Sequence, residues 1–307
     1  MTNISKTIVF FGSGPVAAAS LAFLAKTFSI ELVVTKAVPA HHKENAPVET
    51  LASALSLPIV FASTQTELDN VLKDHSFNSP LGVVIDYGVL ISAPSIARFP
   101  LGIINSHFSL LPEWRGADPI TFSVLSGQKK TGVSLMLIEP SLDTGKLLVQ
   151  RSLPIFNDTT TPMLTDQLIE LSNTLLAEYI SKYVAGNVQP HKQPHPDRAT
   201  YSRKLTKQDG TIDWRKPADV IEREIRAFIG WPQSRTTLST IDVIITKAHT
   251  IPSDVGQPGD IKIIDDSDIL MVTTSDGYLC IDSLKPIGKK EMPVSAFLRG
   301  YKDKLGV

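Results

Sequence analysis

Asn105 and His107 stand two residues apart at the end of an apolar run, Gly102-Ile103-Ile104. In an extended chain that spacing puts an amide and an imidazole on one face. The amide can donate hydrogen bonds to an oxygen on which negative charge develops, and the imidazole can move a proton near neutral pH. Together they suit acyl chemistry at one reacting centre. The same pair also suits a strand end whose polar side chains are ordinary hydrogen-bonded structure, as buried polar groups usually are. The neighbouring residues bear on that choice.

Ser109-Leu110-Leu111-Pro112 leaves the run in a short apolar turn, Arg115-Gly116-Ala117 follows, and Ser141-Leu142-Asp143-Thr144-Gly145 comes after a second apolar run at 132–138. In this order the motifs resemble the formyltransferases that use 10-formyltetrahydrofolate, most closely those acting on methionyl-tRNA. The resemblance implies that Asn105, His107 and Asp143 are catalytic. Asn105 would donate to the formyl oxygen, and His107 would shuttle a proton or stabilise the same oxygen. Asp143 would orient His107 and accept a proton from the attacking amine, directly or through water. Taken alone, Asp143-Thr144-Gly145 is equally a turn in which aspartate caps its own backbone. The resemblance further implies that Ser109, Leu110, Leu111 and Pro112 line a folate pocket, with Tyr87, Gly88 and Leu90 as further walls; leucine and proline suit a flat ring. It calls for 10-formyltetrahydrofolate as the formyl donor and for no metal.

Several elements must position these residues. Strand patterns at 7–11, 30–35, 58–61, 81–85 and 102–105 alternate with helical patterns starting at Pro15, at 47–55 and at 67–75. Such alternation predicts an α/β fold, a doubly wound and mostly parallel sheet with its site beyond the carboxyl ends of the strands. A competing signal is Gly12-x-Gly14-x-x-Ala17, a loose dinucleotide-binding fingerprint. The acidic residue expected after the second strand is absent, because Val34 is followed by Thr35-Lys36. A long amphipathic helix at 161–184 closes the first part of the chain. Prolines without periodicity then mark a linker, and His191 and His195 within it read as solvated residues. Beyond it, closely spaced short strands predict a small OB-like β-barrel, the domain that the resemblance also implies. The expected domains are 1–188 for catalysis, 189–205 as linker and 206–307 as barrel.

Length and charge narrow the partners. A chain of 307 residues with a net charge of −1 is comfortable for two domains and has no global basic field. Any RNA contact must therefore be local. Lys36, Lys43, Arg115, Lys289, Lys290 and Arg299 are the candidate tRNA-binding residues, for a charged initiator tRNA. Only one cysteine is present, Cys280, which excludes an internal disulfide and fits a reducing compartment. No run approaches the length of a membrane span. A cytoplasmic monomer is the expectation. The sequence also departs from the family pattern: 36–46 is short and weakly basic where a longer basic insertion is usual. Asp86, Ser106, Asp118 and Thr121 replace the family's common residues. Two other readings stay open, a formyltransferase for a nucleotide-linked amino sugar and a non-catalytic folate- or RNA-binding protein of the same fold.

Overall fold

Runs such as Ile8-Val9-Phe10-Phe11 and Leu32-Val33-Val34 offer no polar face to water, so strands built from them need cover on both sides. In the computed structural model, which describes residues 6–38, 46–252, 256–264 and 268–306, these runs form the centre of a seven-stranded sheet. The chain alternates through β1 (Thr7–Phe11), α1 (Pro15–Leu24), β2 (Ser29–Thr35), α2 (Pro47–Ala54), β3 (Ile59–Phe61) and α3 (Gln65–Asp74). It continues with β4 (Gly82–Val84), α4 (Ala93–Ile96), β5 (Ile103–His107), β6 (Arg115–Gly116) and α5 (Pro119–Leu125). Then come β7 (Lys130–Leu137), β8 (Leu147–Pro154), α6 (Thr161–Val184) and β9 (Tyr201–Ser202).

The sheet order is β3-β2-β1-β4-β5-β7-β8. Strands β1 to β5 run parallel, whereas β7 and β8 are antiparallel. Strand order reverses at β1, which lies between β2 and β4, and such a switch point opens a crevice at the carboxyl ends of the strands. Phe11, Val34, Leu68, Leu72, Phe99 and Ile103 fill the layer on one face of this sheet. Full burial of each such side chain is worth about 1.5–3 kcal/mol. Local signals agree with the packing: the Thr64 hydroxyl accepts from Glu67 N at 3.2 Å, and the Glu67 carboxylate accepts from Ser63 N at 2.7 Å, which together cap α3.

The later part of the chain adds α7 (Ala218–Ala227), β10 (Ser234–Leu238), β11 (Ile241–Ile251), β12 (Ile261–Ile264), β13 (Ile269–Thr273), β14 (Tyr278–Pro286), β15 (Met292–Pro293) and α8 (Val294–Tyr301). Its antiparallel sheet runs β10-β11-β14-β13-β12, with β15 on β14. Among the described residues its path ends at β10 and β12. Helices α7 and α8 supply Ile221, Ile225, Phe297 and Leu298 to the same core as Leu238, Val243, Leu270 and Leu279.

Two compact units result, and they are not three consecutive stretches. One holds the residues up to Pro119 with Lys130–Pro154 and Thr165–Ser202; the other holds Ile120–Lys129, Ile155–Leu164 and the residues from Arg203 on. Residues 189–202, which the sequence reads as most of a linker at 189–205, group with the first unit. Their backbone is tied down: Leu147 and His191 exchange both N–H···O bonds at 2.8 and 2.9 Å, and β9 pairs in parallel with β6.

Candidate active site

Strand β5 ends inside the sheet, flanked by β4 and β7. Asn105 lies opposite Val84 on one side and Met136 on the other, and His107 lies opposite Ser134. The His107 ring is buried, 6% exposed. Its Nε2 is 2.9 Å from the Trp114 carbonyl. A carbonyl only accepts, so Nε2 carries the hydrogen and Nδ1 is left to face Asp143 Oδ2 at 3.8 Å. That distance is too long for a hydrogen bond, and the contact is an ion pair only when the ring is protonated. Asn105 is half-buried, and its side-chain amide makes no hydrogen bond among the described residues. The amide is thus free to address an outside oxygen from the face it shares with His107.

Asp143 reaches the histidine from a tight turn between β7 and β8. Its φ is +50°, a left-handed conformation that only some side chains adopt readily. Three contacts hold it. Asp143 Oδ2 accepts from Gly116 N at 2.8 Å, its carbonyl accepts from Gln193 Nε2 at 2.7 Å, and Gln193 Nε2 also donates to the Gly145 carbonyl at 3.0 Å. Two glycines are required here. A Cβ on Gly145 would lie 1.7 Å from the Leu137 carbonyl oxygen, and one on Gly116, at φ +115°, would lie 2.2 Å from the Ser202 carbonyl oxygen.

The turn after β5 is shaped by a buried hydroxyl. Ser134 Oγ donates to the Ser109 carbonyl at 2.6 Å and accepts from Leu111 N at 3.0 Å, while Gln150 Nε2 donates to the Leu111 carbonyl at 2.8 Å. The Leu111–Pro112 bond is cis. The expected folate-wall residues fall into a buried group and an accessible group. Ser109 and Leu111 turn inward, and the Ser109 hydroxyl donates to the Glu113 carbonyl at 2.5 Å. They build the turn, and Pro112 is buried with them. Tyr87 is core as well: its ring lies 6.0 Å from that of Phe11 and its hydroxyl donates to the Ala62 carbonyl at 2.7 Å, while burial raises its pKa. Apolar neighbours surround Leu111 and Tyr87. Leu110 is half-buried over Gly132, and Gly88 and Leu90 are exposed after β4, Leu90 by 66%.

Asp86 adds a charge at the switch point. It has φ +46°, and a Cβ on Gly14 would meet its Oδ2 at 1.9 Å, so the carboxylate lies against the N-terminus of α1. A carboxylate there opposes a pyrophosphate and argues against the dinucleotide reading of Gly12-x-Gly14. Protein atoms crowd the carboxyl although solvent still reaches the residue. The crowding pushes its pKa up to about 6, with Lys36 opposing and Asp118 reinforcing the shift. Two residues that depart from the family pattern are thereby coupled.

The expected tRNA contacts separate. Arg115 is 7% exposed and its Nη2 donates to Gln193 Oε1 at 2.7 Å, so it is an internal residue, held there by its place on β6. Lys36 lies at the end of β2, with its Nζ 3.2 Å from where a Gly88 Cβ would be. Lys43 lies outside the described residues. Lys289 and Lys290 are exposed at the tip of the β14–β15 hairpin, and Arg299 is exposed on α8. Ser134, Gln150, Gln193 and Thr200 are not marked by any motif in the sequence. Serine and glutamine in strands carry no signature of their own, and the prolines around Gln193 read as linker.

A buried imidazole, an adjoining unpartnered amide and a turn-held carboxylate at the carboxyl edge of a doubly wound sheet define an α/β enzyme suited to acyl transfer. The chain belongs to the formyl transferase family: that family's pattern matches residues 6–180, and its C-terminal domain, described as formyl transferase, C-terminal domain, matches 204–302. Methionyl-tRNA formyltransferases are among its relatives. That of Roseiflexus sp. (strain RS-1) is 33% identical over 301 residues, covering 96% of this chain and 92% of the relative. That of Herpetosiphon aurantiacus is 32% identical over 303 residues, covering 96% and 98%. Among solved structures, the N-formyltransferase from Helicobacter canadensis, in complex with folinic acid and dTDP-3-aminofucose, has a TM-score of 0.66 at 17% identity, covering 94% of this chain and 100% of the other. HypX from Aquifex aeolicus in complex with tetrahydrofolic acid has a TM-score of 0.61 at 14% identity, covering 95% of this chain and 46% of the other. These structures share the fold.

Proposed function

We infer that this protein transfers a formyl group from 10-formyltetrahydrofolate to the amino group of charged initiator methionyl-tRNA, as a cytoplasmic, monomeric enzyme of translation initiation. The observation that carries the reading is the extent of the methionyl-tRNA formyltransferase relatives, which match across both units at about a third identity. No helix among the described residues is long and apolar enough to cross a membrane.

The folate donor supplies an activated formyl group. Everything else falls to the protein. As a bond forms between the amine nitrogen and the formyl carbon and the bond to the folate nitrogen breaks, negative charge gathers on the formyl oxygen. The unpartnered Asn105 amide supports a role as donor to that oxygen, a contribution typically on the order of 100- to 1,000-fold in rate. The amine must lose a proton and the folate nitrogen must gain one. His107 has Nε2–H held by Trp114 and Nδ1 turned to Asp143, an arrangement that supports moving a proton between those groups. Exposed Gly88 and Leu90 and half-buried Leu110 fit a folate wall.

His107→Ala and Asp143→Ala are each expected to leave folate affinity nearly intact and to lower turnover at least about 100-fold. Near-normal turnover in either variant would remove the assigned role. A second reading, transfer to a nucleotide-linked amino sugar, is favoured by one feature, the short and weakly basic stretch 36–46.

A further inference from the structure

The segment from His191 to Ser202 reads as a linker but runs as a strap against both partners of the catalytic imidazole. We propose that Gln193, assisted by Thr200, is a positioning residue that fixes those two partners; this rests on the roles assigned above to His107 and Asp143.

Gln193 is 8% exposed, and both ends of its amide are bonded. Its Oε1 accepts from Arg115 Nη2 at 2.7 Å, and its Nε2 donates to the carbonyls of Asp143 and Gly145 at 2.7 and 3.0 Å. A guanidinium only donates and a carbonyl only accepts, so these partners settle which end of the amide is oxygen. Glutamine is the residue type that satisfies both kinds of partner from one side chain. Glutamate offers no donor to the carbonyls, and methionine offers neither. The two carbonyls flank Thr144, so one amide clamps the turn that holds Asp143 at φ +50°.

Thr200 acts on the other partner. Its hydroxyl accepts from Trp114 N at 2.8 Å and its carbonyl accepts from Arg115 N at 2.9 Å. Trp114 is itself at φ +53°, and its carbonyl receives Nε2–H of His107. The hydrogen on Nε2 and the carboxylate facing Nδ1 are therefore both set by groups anchored on one strap. Arg115 and Gly116 complete the link, since Gly116 N donates to Asp143 Oδ2 and Arg115 donates to Gln193.

The test compares Gln193→Glu, Gln193→Met, Thr200→Val and Thr200→Ser in the full chain. It measures kcat and KM for both substrates, melting temperature, and the imidazole resonances of 15N-histidine-labelled protein, with His107 assigned from its loss in His107→Ala. Misplacing a catalytic group by about 1 Å costs roughly 100-fold. Both Gln193 variants should therefore lose at least about 10-fold in kcat, with KM changed less than about 2-fold, and should shift or broaden the His107 Nε2–H signal. Thr200→Val should change the same signal in the same direction, and Thr200→Ser, which keeps the hydroxyl, should restore it. The positioning role is overturned if the variants keep kcat and the His107 signal, or if activity falls only in step with the unfolded fraction while that signal stays as in the wild type. Should the Gln193 variants not fold, the Thr200 pair decides, because that hydroxyl sits at the exposed edge of the strap. A wild-type protein that formylates no methionyl-tRNA would refute the acceptor, and the His107 signal would still decide the role of the strap.

Discussion

Asn105 and His107 owe their common face to a two-residue period, which is why their pairing is legible from the sequence without any structure. What the sequence does not carry is their bonding. Among the described residues the amide is left unpartnered, while the imidazole is held at Nε2 by a main-chain carbonyl seven positions on. Asp143 is legible only through the family motif, since an Asp-Thr-Gly turn has its own structural use. Asp86 permits a test at this scale. Its carboxyl is pushed up from 3.8 to about 6, so the folded protein binds this proton more tightly than the unfolded chain does. Ionising Asp86 in the folded state then costs stability, a cost complete above about pH 6 and absent below about pH 4. Asp86→Asn should therefore raise the melting temperature at pH 7.5, and the gain should fade as pH falls toward 4. A gain of the same size at both pH values would assign the effect to something other than the charge.

The strands and helices of the first sheet follow from apolar runs alternating with amphipathic ones, and most were readable. The strap at 191–202 was not, because what orders it lies far away in the chain. Gln193 is bonded to Asp143 fifty positions earlier and to Arg115 seventy-eight positions earlier. A hydrophobic pattern cannot report such bonds, and the prolines around Gln193 imitate a linker. The same elements show why the β7–β8 turn tolerates so little. Its Gly145 faces the Leu137 carbonyl with no room for a side chain. Gly145→Ala should displace the turn that carries Asp143, destabilising the protein by about 1–3 kcal/mol and lowering kcat while folate affinity is kept. Wild-type kcat in a folded Gly145→Ala protein would show that the turn moves freely of the site.

For the molecule as a whole, a change of pattern near residue 206 announces a second unit, but its borrowing of 120–129 and 155–164 from the middle of the chain is invisible in a linear reading. Charge has to be read locally too, because the net value of −1 hides the basic hairpin tip. If Lys289 and Lys290 meet tRNA phosphates, Lys289→Ala with Lys290→Ala should raise KM for methionyl-tRNA and reduce the slope of log affinity against log salt by about 1 to 2. An unchanged slope would return the tip to ordinary surface. The central claim is the acceptor, and it is tested most directly by single-turnover transfer from 10-formyltetrahydrofolate. The enzyme would be offered charged initiator methionyl-tRNA and, separately, a nucleotide-linked amino sugar. The expected result is formylmethionyl-tRNA within one turnover and no formylated sugar; formylation of the sugar alone would contradict the assigned acceptor.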